Sequence, residues 1–348
     1  MRRVWKVALG IGGVTLFVLS LKLMQGGARA IAPVIEEHFE VETPVAALGF
    51  GWGASYVLLS GSPVAATAVT FLDAEQIDEV SAFAMITGSR LGAAFIVLVL
   101  GFFYVLYHRE PIHDLKIGLL ALIVTASIYL PAFALGYGVL ETGILDGLGR
   151  ADGFLDGVLG GGPMEKVTGA LEERVPPWGI FVAGLVLILA SFKLLDFSLP
   201  SMDDEDGEVA GLRRRVYRRW PMFWLGALFT AVTLSVSVSL GLLVPLHDRR
   251  IVRVEHVVPY IMGANITTFV DTLVAAMTME RGAAMVVVLV EMAAVTVISL
   301  AVLVFVFGRF EKAMLGAVAG VTASRRNLAI FLAVLLALPA ALLILPRL

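Results

Sequence analysis

A stretch of polar and small residues occurs twice in this strongly apolar chain, with the second copy 175 positions after the first. The copies align without insertion or deletion. The first is Leu59-Ser60-Gly61-Ser62 with Thr87-Gly88-Ser89-Arg90-Leu91-Gly92-Ala93, and the second is Leu234-Ser235-Val236-Ser237 with Met262-Gly263-Ala264-Asn265-Ile266-Thr267-Thr268. Polar residues beside glycine in apolar surroundings indicate broken helices with exposed backbone groups. A pair of such sites in corresponding halves is typical of a secondary transporter.

The overall composition determines the class of protein. Hydrophobic residues make up 59% of the 348 residues, charged residues make up 16%, and the mean hydropathy is +0.90. These values exclude a soluble globule and indicate an all-α integral membrane protein whose main partner is the lipid bilayer. The absence of cysteine excludes disulfides and thiol chemistry, and a net charge of -3 gives no sign of a nucleic-acid partner.

About seven apolar segments are near the 20 residues that a helix needs to cross the hydrocarbon core. They are 7–24, 81–107, 115–140, 178–196, 256–279, 283–308 and 327–346. The first follows Arg2, Arg3 and Lys6, an order also found in signal peptides, but no clean cleavage site follows it. We therefore interpret it as a retained span.

Two further apolar stretches, 44–72 and 220–246, are interrupted by small and polar residues. Acidic residues flank both ends of the first stretch, so both ends are expected outside the cell. Arginines flank both ends of the second, so both are expected in the cytoplasm. A segment that begins and ends on one side is a re-entrant hairpin.

The basic loops then orient the chain in a cell membrane, with a cytoplasmic N-terminus and an extracellular C-terminus. The Gly-rich acidic loop 141–177 is predicted outside, and the linker 197–219 and the basic segment at the start of 309–348 are predicted inside. The first repeat then occupies 1–140 and the second 178–308. Because their first spans cross in opposite directions, the halves are predicted to be inverted-topology repeats.

The second copy, with Pro245, Glu255 and Pro259 nearby, resembles the type II sodium-dependent phosphate cotransporter family. That family carries Gln-Ser-Ser-Ser in each hairpin and Gly-Ala/Ser-Asn-Ile-Gly-Thr about 29 residues later. The interval from Leu59 to Gly88 is 29 residues, as is that from Leu234 to Gly263. The resemblance covers roughly residues 7 to 310. It implies inverted repeats with re-entrant hairpins and, as activity, sodium-coupled uptake of inorganic phosphate.

Several positions depart from the family pattern. Both glutamines are replaced, by Leu59 and Leu234, and leucine offers no oxygen to a cation. Arg90 stands where the first copy would carry asparagine, and its planar guanidinium suits two oxyanion oxygens. We therefore hypothesise that the positive charge of Arg90 replaces a bound sodium ion of the family. The candidate coupling ions are Na⁺ and H⁺.

The candidate site residues are hydroxyl, amide, glycine and charged residues of the two copies and the following spans. Ser60, Ser62, Gly88, Ser89, Arg90, Ser235, Ser237, Gly263, Asn265, Thr267 and Thr268 are the candidates for substrate binding. Helix N-termini at breaks beside Gly88 and Gly263 are expected to present N–H groups to an anion. Thr67, Ser239, Asp271 and Glu291 are the candidates for ion coupling.

Structural roles are the alternative for each candidate. Arg90 could snorkel to the interface or pair with Asp271 or Glu291. The serines could hydrogen-bond to carbonyls one turn back or allow close helix packing, Asn265 could be a helix cap, and Glu291 could be a neutral hydrogen-bonded acid. Gly92 and the alanines after it could support a homodimer contact.

For function, the alternatives to an oxyanion transporter are an uncoupled anion pathway or phosphate sensor and, less favoured, an intramembrane enzyme. The histidines lack the spacing of metal ligands, and no cofactor is expected beyond Na⁺ as a coupling ion.

Overall fold

The structure is a computed structural model that describes residues 43–58, 60–108, 115–142, 218–241 and 252–344, with isolated positions at 5–23, at 175–194 and at 243. Most or all of four predicted segments lie outside the described residues. These are the spans 7–24 and 178–196, the outer loop 141–177 and the linker 197–219.

The described residues form helices and turns and contain no strand. The helices are α1 (Pro44–Leu58), α2 (Gly61–Asp73), α3 (Glu79–His108), α4 (Leu115–Glu141), α5 (Arg219–Thr233), α6 (Val236–Gly241), α7 (Val257–Thr267), α8 (Val270–Ala276), α9 (Gly282–Ala301), α10 (Phe307–Thr322) and α11 (Arg325–Ile344). A 3-10 turn, Val254–His256, precedes α7.

Five runs of described residues are long and apolar enough to cross a membrane. They are Glu79–Val99, Leu115–Glu141, Val254–Ala276, Gly282–Thr322 and Arg325–Ile344. Each coincides with one of the predicted spans at 81–107, 115–140, 256–279, 283–308 and 327–346. The chain is therefore an all-α membrane protein, and this part of the prediction is confirmed.

Residues 309–322, predicted as part of a cytoplasmic loop, are helical. A π-helical turn, Val302–Val306, joins α9 to α10, and Val306 has φ -132° and ψ 12°, outside helical values. The loop prediction is wrong because basic residues in this segment are a signal of orientation and do not exclude a helix. The segment contains no proline and several alanines, and α10 continues to Thr322, so that two residues separate it from α11.

Helix α3 lies at the centre of the described part of the molecule. It packs against α1, α2, α4, α6 and α9, and every residue from Ser81 to Ala94 is buried. Helix α11 lies at the periphery against α1, and few of its residues are buried. Tyr56 of α1 donates a hydrogen bond to the Leu335 carbonyl of α11 at 3.1 Å. The polar residues of α3 between Ser81 and Ala94 are therefore buried inside the molecule.

Each interrupted apolar stretch folds as two short helices with a break between them. In the first, α1 and α2 are separated at Ser60, whose backbone is extended with φ -162° and ψ 133°. In the second, α5 ends at Thr233 and is followed by Leu234, which has a left-handed backbone with φ 51°. Non-glycine residues rarely adopt such values because the side chain crowds the backbone. The breaks thus coincide with the first part of each sequence copy.

Glycines allow α1 and α3 to approach until their backbones touch. A Cβ atom on Gly51 of α1 would lie 2.1 Å from the Met85 carbonyl oxygen of α3. A Cβ on Gly88 of α3 would lie 2.2 Å from the Leu48 oxygen of α1. Both distances are far below any contact that a real Cβ makes, so only glycine fits at either position.

The same contacts recur between α5 and α7. A Cβ on Gly226 would lie 2.1 Å from the Tyr260 oxygen, and one on Gly263 would lie 1.9 Å from the Phe223 oxygen. All four residues stand 175 positions after their counterparts in α1 and α3. The two helix pairs therefore pack through the same glycine positions.

Candidate functional site

A buried ion pair joins the first part of the chain to the second. Arg90 of α3 and Asp271 of α8 lie with Nη2 and Oδ1 3.0 Å apart, and each side chain is only 1% exposed. The interpretation of Arg90 as a snorkelling residue is thereby excluded. Of the two predicted carboxylate partners, Asp271 is the one in contact. An ion pair inside a membrane protein marks a functional site by default, because both charges have lost their hydration.

Two threonines and an aromatic ring complete the surroundings of the Arg90 guanidinium. Its Nη1 donates to the Thr268 hydroxyl at 3.4 Å, and its Nη2 also donates to the Thr272 hydroxyl. The guanidinium carbon lies 5.1 Å from the centre of the Phe269 ring, in cation-π contact. These residues lie in the turn between α7 and α8 and in the first turn of α8. Arg90 is thus held by the one segment where the second-half span is interrupted.

The pair is made through one oxygen and one nitrogen, and it leaves hydrogen-bonding capacity unused. Asp271 Oδ1 also accepts from the Thr272 backbone N–H at 2.6 Å and from its hydroxyl at 2.9 Å. Among the described residues, Asp271 Oδ2 and Arg90 Nε have no hydrogen-bond partner, although both are buried. A buried donor and a buried acceptor without partners are rare in folded proteins and typically mark a functional group or the place of an ordered water or ion.

A second carboxyl group, Glu291 of α9, lies on another side of α3. It is 1% exposed, and its Oε1 forms a hydrogen bond with the Thr87 hydroxyl at 2.8 Å. Its Oε2 has no partner among the described residues. No hydrogen bond or ion pair joins Glu291 to Arg90 among the described residues. Asp271 and Glu291, the two carboxylates predicted for ion coupling, therefore have different partners.

Asn265 is buried and connects α7 to α4. Its side-chain amide donates to the Thr125 hydroxyl at 3.1 Å, and its backbone carbonyl accepts from the Tyr129 hydroxyl at 2.8 Å. The Tyr129 ring also contacts that of Phe269, with centres 5.9 Å apart. Asn265 is not a helix cap, since it lies inside α7. Asn265 therefore positions the end of α7, which leads into the turn that contacts Arg90.

Ser239 of α6 links this helix to α5 and α7. It accepts from the Thr230 hydroxyl of α5 at 2.7 Å and lies 2.9 Å from the Tyr260 hydroxyl of α7. All three oxygens belong to largely buried residues. Ser239 lies away from the residues that contact Arg90, so its observed role is to fix α6 against α5 and α7.

The predicted helix breaks beside Gly88 and Gly263 are wrong. Gly88 lies inside the continuous helix α3, and Gly263 lies inside α7, which ends four residues later at Thr267. Both glycines are used for close helix packing, so their N–H groups belong to helix interiors. Thr267, at the second-copy position matching Gly92, donates its hydroxyl to the Ala227 carbonyl at 2.7 Å and is also a packing residue.

The remaining hydroxyl candidates are divided between the helix breaks and the helix interiors. Ser60 and Ser235 lie at the two breaks, and Ser62 lies in the first turn of α2. Thr67 and Ser89 are buried and donate to carbonyls of their own helices, at 2.9 and 2.7 Å. The side chain of Ser237 lies outside the described residues. The hydrogen bonds of Thr67 and Ser89 are thus made within their own helices and not to Arg90.

Several residues of the site were not among the candidates from the sequence. They are Thr87, Thr125, Tyr129, Phe269 and Thr272. A signal was present for three of them. Thr87 begins the second part of the first copy one helical turn before Arg90, and Thr125 and Tyr129 are polar residues one turn apart in an apolar span.

Comparisons of the chain with known proteins gave no match. No protein-family model matches it, and neither do any curated proteins or solved structures. Within the part of the chain that the structure describes, no group of three or more histidine, aspartate and glutamate residues could hold a metal ion. The resemblance to phosphate cotransporters therefore stays a prediction from the motifs.

Proposed function

We propose that the protein is a secondary active transporter that moves inorganic phosphate or a similar oxyanion across the cell membrane by alternating access. The observation that carries this proposal is the Arg90–Asp271 pair, fully buried between a helix of the first half and a helix of the second. Charges buried inside a membrane protein are costly and are usually functional. In alternating access, movement of one half relative to the other would separate Arg90 from Asp271.

The proposed architecture is a pair of inverted repeats with re-entrant hairpins. The recurrence of the glycine contacts of α1 and α3 in α5 and α7 supports a structural repeat. Helices α1 and α2 have 15 and 13 residues, which is short of the 20 or so needed to cross the core. Two short helices with a break between them suit a hairpin that enters and leaves on one side.

The chemistry around Arg90 favours an oxyanion over a cation as substrate. A guanidinium repels cations, and it binds tetrahedral oxyanions through two oxygens at a time. The hydroxyls of Thr268 and Thr272 can donate to further oxygens or accept from protonated ones. Phosphate is the substrate that the motif resemblance favours, and arsenate and sulfate share its geometry.

Uncoupled anion movement is the second candidate. Leu59 and Leu234, which replace the two glutamines of the family motif, provide no side-chain oxygen to a sodium ion. This substitution favours coupling to H⁺, or no coupling, over the sodium coupling that the family resemblance implies.

Uptake of radiolabelled phosphate into proteoliposomes tests the proposal, with an inward sodium gradient, an inward proton gradient or neither. We expect uptake with one of the gradients and at least a tenfold lower rate for Arg90→Lys, which keeps the charge but not the fork that reaches both threonines. Lys312→Gln, on α10, is the control and should transport normally. If the protein neither takes up nor exchanges phosphate, arsenate or sulfate, the proposed function is wrong.

A further inference from the structure

The Arg90 site is electrically balanced as it stands. Arg90 contributes one positive charge and Asp271 one negative charge, and the other groups in contact with the guanidinium are neutral hydroxyls and a phenyl ring. Net charge buried inside a membrane protein is costly, since no water compensates it. The arrangement is therefore stable without a ligand only because Asp271 balances Arg90.

Asp271 occupies the place that an oxyanion substrate would take. One of its oxygens accepts from the Arg90 Nη2 group, beside the Thr272 hydroxyl that also accepts from the same nitrogen. Arg90 Nε remains without a hydrogen-bond partner among the described residues, so the two-oxygen contact typical of an arginine and a carboxylate is not formed. A tetrahedral oxyanion could use the Nε group as well, which gives it an advantage over Asp271.

An anion that displaces Asp271 would create a charge imbalance. Arg90 would then face two negative groups, the substrate and the displaced carboxylate. Oδ2 of Asp271 is already buried without a hydrogen-bond partner among the described residues, and it offers an oxygen to a small cation. A single monovalent cation on Asp271, either a proton or a sodium ion, would restore neutrality.

We propose that Asp271 is an internal substitute for the substrate, and that its displacement from Arg90 by a monoanionic oxyanion couples each anion to one monovalent cation. This inference rests on the proposed transport function. It implies an electroneutral cycle, since the empty site is the neutral Arg90–Asp271 pair and the loaded site is the neutral set of Arg90, anion, Asp271 and cation.

Other titratable groups near the pair do not replace Asp271 in this role. Helix α8 packs against α2 and α9, and Arg90 reaches it from α3. Helix α9 presents Glu291, which is hydrogen-bonded to Thr87, and α4 presents Tyr129, whose hydroxyl donates to the Asn265 carbonyl. The titratable residue of α2, Asp73, lies at its C-terminal end and accepts from the backbone N–H of Arg281. None of these groups contacts the Arg90 guanidinium.

The first test uses the unmodified protein and its response to membrane potential. In proteoliposomes with a fixed cation gradient, potassium and valinomycin impose 0 or 100 mV, and the final accumulation of phosphate is measured at a pH where the monoanion is present. Movement of one net charge would change the accumulation ratio about 50-fold per 100 mV. We expect a change of less than about twofold, and a change near 50-fold overturns the inference.

The second test separates coupling from binding. Asp271→Asn removes the internal anion but leaves Arg90 in place, so phosphate should enter the site without a cation. We expect gradient-driven accumulation to fall at least tenfold, whereas exchange of external for internal phosphate continues and no longer depends on Na⁺ or H⁺. Glu311→Gln, which neutralises a carboxylate on α10, is the matched control and should keep gradient-driven accumulation.

Phosphate binding supplies a readout that does not depend on transport. Because Arg90 lacks its partner in Asp271→Asn, phosphate should raise the melting temperature of this variant more than that of the unmodified protein. An equal or smaller rise overturns the inference, as does gradient-driven accumulation by Asp271→Asn at the normal level. Loss of the cation dependence in Glu291→Gln, with Asp271→Asn still coupled, would assign coupling to Glu291 and contradict the inference.

The two proposals fail in different ways. If the unmodified protein neither accumulates nor exchanges any tetrahedral oxyanion, the proposed function is wrong. If it transports an oxyanion but moves net charge, or if Asp271→Asn remains coupled, transport stands and the role of Asp271 is wrong.

Discussion

At the scale of single residues, a count of protons explains the contact between Glu291 and Thr87. The Thr87 hydroxyl is within hydrogen-bond distance of the Phe83 carbonyl oxygen, at 3.0 Å, and of Glu291 Oε1, at 2.8 Å. A hydroxyl has one proton and donates only one of these bonds. If Glu291 is a neutral acid it donates to Thr87, Thr87 donates to Phe83, and both contacts are hydrogen bonds. Burial without a cationic partner favours the same neutral form.

This arrangement predicts that Thr87→Val is destabilising by about 1–3 kcal/mol, because it leaves a buried carboxyl group without a partner. Glu291→Gln should be close to neutral, since its amide can still donate to Thr87. Thermal unfolding in detergent, followed by tryptophan fluorescence, measures both. Thr87→Val combined with Glu291→Met should recover part of the loss, and purely additive effects would contradict the pairing.

The sequence predicted that Arg90, Asp271 and Glu291 matter, but not which carboxylate pairs with Arg90. Ionisable residues in an apolar span stand out by composition alone. Pairing depends on how α8 and α9 are rotated about their axes, and on the interruption of the second-half span after Thr267. Neither is specified by spacing along a single chain, so the choice of Asp271 required the packed structure.

At the scale of helices, the close packing of α1 against α3 depends on glycine. Gly88→Ala would place a Cβ atom 2.2 Å from a backbone oxygen of α1, and a backbone atom moves only with its helix. Overpacking of this kind destabilises proteins by about 1–3 kcal/mol. We expect a lower melting temperature for Gly88→Ala and for its counterpart Gly263→Ala.

Gly316→Ala on α10 is the matched control, because nothing lies within 4 Å of its added Cβ. It should leave the melting temperature unchanged or raise it, since alanine in a helix interior is favoured over glycine by roughly 0.5–1 kcal/mol. Equal effects of Gly88→Ala and Gly316→Ala would show that the α1–α3 contact is looser than the structure has it.

The same glycines explain where prediction of the helices failed. Glycine beside polar residues in an apolar span is expected both at a helix break and at a close helix contact. Gly88 and Gly263 lie at close helix contacts. The interruption of the span Val254–Ala276 occurs instead at Thr268 and Phe269. The stretches 44–72 and 220–246 were expected to be interrupted, and the structure has breaks within them at Ser60 and Leu234, although the sequence did not predict those positions.

For the molecule as a whole, the contacts that recur at a spacing of 175 residues identify corresponding positions, whose sides of the membrane can be compared. Thr43 precedes α1 and Arg218 precedes α5, and the two are counterparts in the repeat. If the halves are inverted, these exposed residues lie on opposite sides of the membrane. Glu75 follows α2. If α1 and α2 form a re-entrant hairpin, Thr43 and Glu75 lie on the same side of the membrane.

Single cysteines can test this directly, because the chain contains no cysteine of its own. We expect a membrane-impermeant maleimide added to intact cells to label Thr43→Cys and Glu75→Cys and to label Arg218→Cys only after permeabilisation. Ala84→Cys, at a wholly buried position, is the control and should react only after denaturation. Labelling of Thr43→Cys and Arg218→Cys from the same side would exclude inversion. Labelling of Thr43→Cys and Glu75→Cys from opposite sides would show that α1 and α2 together cross the membrane.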